Sequence, residues 1–105
     1  DTVLASEATS LASGAPFDVK GWKRRVEADT VNKILQKHSA DQFPVTEEDF
    51  RKLPSLHRKA IAMEWQKTKG DWHLKTVAKD GRDIWIIEQA RSGQNTLNLI
   101  SMYRP

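Results

Sequence analysis

Three segments near the C-terminus, 72–77, 84–89 and 96–103, are dense in β-branched and aromatic residues. Turn chemistry separates each from the next, a pattern that only strands joined by tight reversals satisfy. Asp80-Gly81 suits a two-residue type I′ turn, and Ser92-Gly93 with Asn95 marks the following reversal. Residues 63–67 add a possible fourth strand that turns at Gly70.

Upstream, the pattern changes period. Residues 21–26 place Trp22, Arg24 and Val26 on one side of a short extended run. Asp29 or Thr30 reads as an N-cap, after which Val31, Ile34, Leu35 and His38 share one helical stripe that ends near Ser39. Thr46-Glu47-Glu48-Asp49 resembles a capping box, with acids where the helix dipole favours them. That helix carries Phe50 and Leu53 inward and stops before Pro54, which opens a further short helix through about Ala62. The expected fold class is therefore α+β, with two or three N-terminal helices packed on a three- to four-stranded antiparallel β-meander. Residues 1–16 read as a linker or loose arm and 17–105 as the folded unit.

At 105 residues the chain suits one domain, and it contains no cysteine, so disulfides and thiolate metal sites are excluded. His38, His57 and His73 follow no metal-ligand spacing, and neither a metal nor a cofactor is expected. No apolar run reaches the roughly 18 residues of a membrane span, and residues 1–16 lack the basic start and apolar centre of a secretion signal.

The net charge of +3 hides an uneven distribution. Residues 20–38 carry Lys20, Lys23, Arg24, Arg25, Lys33 and Lys37 against Glu27 and Asp29. Residues 51–75 carry seven bases against Glu64 and Asp71, whereas 41–50 hold four acids and no base. Such blocks form either a phosphate-attracting surface or merely solvated helix faces. His57, between Leu56 and Arg58-Lys59, reads as a surface residue.

A two-residue loop at Asp80-Gly81 sets Lys79 opposite Arg82, and with them Val77 opposite Ile84, Lys75 opposite Ile86 and His73 opposite Glu88. One face then carries His73, Lys75, Val77, Ile84, Ile86 and Glu88, joined by Leu97, Leu99, Ser101 and Tyr103 if the second hairpin keeps parity. The other carries Leu74, Trp85, Ile87, Ile100 and Met102. A one-residue slip would exchange these assignments. A carboxylate, an imidazole and a cation on an accessible floor suit metal-free RNA cleavage by the 2′-hydroxyl, which requires a proton acceptor, a proton donor and positive charge near the phosphate. The same residues also suit an ordinary cross-strand ion pair.

Three stretches carry a family resemblance. They are Gly21-Trp22-Lys23-Arg24 through Val31-Asn32-Lys33-Ile34-Leu35-Gln36-Lys37-His38, then Phe43-Pro44-Val45-Thr46-Glu47-Glu48-Asp49-Phe50 into Lys52-Leu53-Pro54, then Ile84-Trp85-Ile86-Ile87-Glu88-Gln89-Ala90-Arg91 followed by Leu97-Asn98-Leu99-Ile100-Ser101-Met102-Tyr103. In this order they resemble the phage-associated branch of the barnase–EndoU–colicin–RelE-like (BECR) nucleases, over roughly residues 20–104. The resemblance implies a metal-independent ribonuclease domain, helices first and then a sheet that holds the site. By position, His38 matches the histidine ending the first helix, Glu88 and Arg91 the acidic and basic residues of the penultimate strand, and Lys75 a basic strand position. Ser101 stands where members usually carry Thr, and Asn32 where relatives place another helix histidine. Asn32 can hydrogen-bond phosphate but cannot carry a proton near neutral pH.

The combined expectation is an endoribonuclease toxin domain with His38, Glu88, Ser101 and His73 as catalytic candidates and Lys75, Arg91, Asn32, Tyr103 and Lys33 as RNA contacts. Such a domain forms the C-terminal part of a larger protein, secreted or injected by a bacterium or phage. It acts in the target cytoplasm and is countered by an acidic immunity protein. The competing expectation is a catalytically silent RNA-binding or phage structural module with the same fold.

Overall fold

The computed structural model describes residues 16–105, and the arm expected before them lies outside the described residues apart from Pro16. Element order is β1 (Lys23–Arg25), α1 (Ala28–Lys37), α2 (Glu47–Arg51), α3 (Leu53–Arg58), β2 (Ala60–Thr68), β3 (Asp71–Asp80), β4 (Arg82–Arg91) and β5 (Thr96–Tyr103). The class is α+β: three helices and one five-stranded mixed sheet of order β1-β5-β4-β3-β2. Strands β2 to β5 pair antiparallel with their sequence neighbours, whereas β1 runs parallel to β5 at the edge. That parallel edge strand, preceding the helices, is absent from the all-antiparallel sheet the sequence suggested. Its three residues carry too little periodicity to announce a partner seventy positions away.

Local chemistry sets most boundaries. Helix α1 opens from Glu27, which makes no side-chain cap, so Asp29 lies inside the first turn rather than capping it. At α2 the box forms: the Thr46 backbone N–H donates to Asp49 Oδ2 at 2.9 Å. The other Asp49 oxygen accepts from Arg104 at 2.9 Å, fixing this turn to the end of the chain. Removing a cap and a sheltered charge-assisted bond together should cost roughly 2–4 kcal/mol. Asp49→Ala is therefore expected to lower the urea midpoint clearly, and a change below about 0.5 kcal/mol would contradict this accounting. Helix α3 starts one residue before Pro54, which occupies its first turn. It ends at Arg58, and Ala60 already belongs to a strand, so the helix expected to reach Ala62 is cut short.

All three helices lie on one side of the sheet. Ile34 of α1, Leu53 and Leu56 of α3, and Val45 pack with Ala78, Ile84, Ile86, Leu99 and Met102. A second cluster joins Val19, Trp22, Leu74 and Leu97, flanked by Phe17, Met63 and Trp65. Strands β3 and β4 bury alternate residues, Leu74, Thr76 and Ala78 on one and Ile84, Ile86 and Glu88 on the other. The opposite side of the sheet, called here the outer face, carries the intervening residues.

The β3–β4 register differs from the expected one by a single residue. Asp80 pairs with Arg82, leaving Gly81 alone at the turn with φ +73°, so Leu74 faces Glu88, Thr76 faces Ile86 and His73 faces Gln89. Glu88, Ile84 and Ile86 thereby move to the helix side, and Trp85 and Ile87 to the outer face. The register retained buries Ile84, Ile86 and Glu88 beneath the helices in place of Trp85 and Ile87, while Lys75 and Lys79 lie outward in either register. A bulge between Ile87 and Glu88 makes the second correction. Ile87 faces Ser101 and Glu88 faces Leu99, which leaves Ile100 unpaired and exposed. Leu97 and Leu99 consequently point into the core while Ser101 and Tyr103 stay on the outer face, because the extra residue reverses parity partway along β5.

Candidate functional site on the outer sheet face

Cross-strand pairing orders the outer face into rows. Gln66, His73, Gln89 and Asn98 form one row, Glu64, Lys75, Ile87 and Ser101 the next, and Ala62, Val77, Trp85 and Tyr103 a third. Neighbouring strands lie about 4.8 Å apart, and same-face residues along a strand about 6.8 Å apart.

Aromatic rings continue the third row. Tyr103 and Trp85 have centroids 5.5 Å apart, and the His38 imidazole stacks on Tyr103 at 5.2 Å with only 10° between planes. At the other end the Lys75 ammonium sits 3.4 Å from the Trp85 ring centre, a cation–π contact that draws the lysine diagonally from its own row. His38, Tyr103, Trp85 and Lys75 thus form one continuous ladder. His38 joins it because it is the C-cap of α1, where its backbone N–H still bonds Ile34. Its Nδ1 donates to Asp41 Oδ2 at 2.7 Å, which fixes the ring. Nε2 is shielded from water and has no hydrogen-bond partner.

The charges on this face are unbalanced in sign. The register directs Lys23, Arg25, Lys75, Lys79 and Arg91 to the outer side, against Glu64, Asp71 and Asp83. Arg91 is exposed and donates to Gln89 at 3.0 Å. Of the expected residues, His38, His73, Lys75, Arg91, Ser101 and Tyr103 share this region. Asn32 and Lys33 are exposed on α1, whose buried residue is Ile34. Trp72 packs edge-on against Trp65.

Glu88 is absent from this face. It lies 2% exposed on the helix side, where Arg24 Nε donates to its Oε2 at 3.0 Å and His57 Nε2 stands 3.9 Å from Oε1. The expected His73–Glu88 pair does not form, because the one-residue register change turns the two away from each other. His57 is not at the surface either: only 4% of it is exposed. Burial, with the Arg24 guanidinium adding repulsion, lowers its pKa to about 3, so the ring is neutral at neutral pH. The signal missed in the sequence was the spacing Leu53–Leu56–His57, which places His57 on the buried stripe of α3 despite its basic neighbours.

Among the described residues no group of three or more His, Asp or Glu side chains is placed to hold a metal ion, and no helix is long and apolar enough to cross a membrane. Comparison with family models, curated proteins and solved structures finds no match to this chain.

Proposed function

We propose that this domain binds single-stranded RNA across its outer sheet face. The observation that carries the reading is the ladder His38–Tyr103–Trp85–Lys75 on a face where cations outnumber acids. Rings on an open sheet offer unpaired bases a stacking surface, and the surrounding lysines and arginines attract the phosphates. A stacked base contributes about 1–3 kcal/mol by alanine substitution in single-strand binders. Tyr103→Ala should therefore weaken binding of a labelled RNA decamer at least fivefold by fluorescence anisotropy, whatever the salt concentration. Lys75→Ala should instead flatten the fall in affinity between 50 and 200 mM salt, values at which counterion release is readily resolved. Decamer affinity unchanged by either substitution would remove the reading.

A second reading keeps the same surface and adds metal-independent cleavage, the activity implied by the BECR resemblance. It is favoured by the Asp41-oriented His38 beside Tyr103 and by Ser101 and His73 on the same face. On this reading Lys75 and Arg91 hold phosphate and an acidic immunity protein covers the face. Glu88 has a structural part. Incubation of the decamer with the protein in EDTA separates the two readings: 2′,3′-cyclic phosphate ends favour cleavage, and intact bound RNA favours the silent module.

A further inference from the structure

The helix side of the sheet contains a cleft unrelated to the ladder. It has a volume of about 270 Å³, with Arg24, His57 and Glu88 at its floor and Val26, Phe50 and Pro54 among its walls. We propose that this cleft is a nucleobase-binding pocket, entered over the β1 edge by one nucleotide of the RNA strand that the outer face holds. The proposal rests on the RNA-binding reading for the source of the base, but not for the chemistry of the pocket.

Three features select the ligand class. First, the floor is rich in polar groups yet balanced in charge. The Arg24 guanidinium is bound to the Glu88 carboxylate, and the imidazole beside them is neutral at neutral pH. A free phosphate dianion entering here would lose its hydration without meeting an uncommitted positive charge. A neutral group loses far less.

Second, His57 Nδ1 is buried and has no hydrogen-bond partner, and the ring is almost wholly enclosed. A buried polar nitrogen left unmade costs roughly 1–3 kcal/mol. His57 lines the cleft, and a ligand edge carrying both donors and acceptors would suit its imidazole in either tautomer once the ring presents Nδ1 to that space. Third, the walls are apolar and include the Phe50 and Pro54 rings, which suit the face of a planar heterocycle. Nucleobases combine a flat apolar face with a hydrogen-bonding edge.

Position supplies the link to the RNA. Arg24 points into the cleft, whereas Lys23 and Arg25, its neighbours on the three-residue edge strand, are exposed on the outer side. Val26, 46% exposed, forms the lip. A strand lying on the outer face reaches the cleft by passing over β1, with the two cations beside its backbone.

The test uses nucleosides as probes. Adenosine, guanosine, cytidine and uridine are titrated separately into the protein while the imidazole proton resonances are followed by NMR, with His57 assigned from His57→Gln. At least one nucleoside is expected to shift the His57 signals saturably, with a Kd on the order of 1 mM for so small a ligand. Val26→Trp, which plugs an exposed lip and leaves the core intact, should abolish that shift without altering the urea midpoint. Tyr103→Ala should leave it unchanged while weakening the RNA decamer, so failure of the pocket and failure of the outer face are read separately. The proposal is overturned if no nucleoside moves the His57 signals or if Val26→Trp leaves the shift intact. Inorganic phosphate acting at the same site, or indole matching the best nucleoside, would also overturn it, the last by assigning the cleft to an aromatic side chain of a partner protein.

Discussion

Glu88→Ala is expected to destabilise the fold by about 3–5 kcal/mol, as judged by urea denaturation, because it leaves Arg24 buried without its counter-charge. Both side chains are at most 4% exposed, so bulk solvent screens the pair poorly and only what enters the adjoining cleft could stand in for the lost carboxylate. Such a loss is a large share of the whole stability of a domain this size, which is of order 5–15 kcal/mol. The pair itself need not be favourable: two charges removed from water lose hydration that their attraction only partly restores. Arg24→Met with Glu88→Leu should therefore recover most of what Glu88→Ala loses. If both variants are equally destabilised, packing around the side chains governs the site and the electrostatic account fails. In an assay for the proposed cleavage, any difference between Glu88→Gln and the native sequence would first report damage to the fold, and only a variant shown to be folded would speak to chemistry.

The second large effect is acid sensitivity through His57. Its pKa is lowered to about 3 in the folded protein from the ordinary 6.5, so between these values the unfolded chain binds a proton that the native state refuses. Stability is then fully present above the unfolded pKa and falls as the pH drops through this window. Each pH unit costs up to about 1.4 kcal/mol, or roughly 3 kcal/mol by pH 4. Arg24 opposes protonation, and Glu88, 3.9 Å away, favours it but is already bound to Arg24. Urea midpoints at pH 7, 5.5 and 4 should fall steeply for the native sequence and less steeply for His57→Leu. Parallel slopes would show that His57 takes no part.

These two effects also locate the boundary between sequence and tertiary structure. The strands expected over 72–77, 84–89 and 96–103, which the fold extends to 71–80 and 82–91 in the first two cases, the stripe of α1 and the Thr46–Asp49 box were legible because each rests on contacts within a few residues, where side-chain period and capping chemistry act directly. His73 and Lys75 were grouped by alternation within one strand, which is local; Ser101 and Tyr103 join them only because the changed β3–β4 register and the bulge in β5 each reverse parity and cancel. Their relation to Glu88 was not legible. It depends on whether one residue or two separates β3 from β4, and on a bulge at Ile87–Glu88. Neither leaves a mark in the local pattern.

His57 did leave a local signal, the Leu53–Leu56–His57 stripe, which its basic neighbours Arg58 and Lys59 masked. Arg24 left none, because it acquires its role only when β1 lies along β5 and meets a carboxylate 64 positions away. By itself, then, the sequence determined the elements, the absence of disulfides and the basic, aromatic character of the chain. Tertiary structure alone decided which carboxylate faces which base, because long-range pairing selects among registers that short-range preferences leave nearly equal in energy.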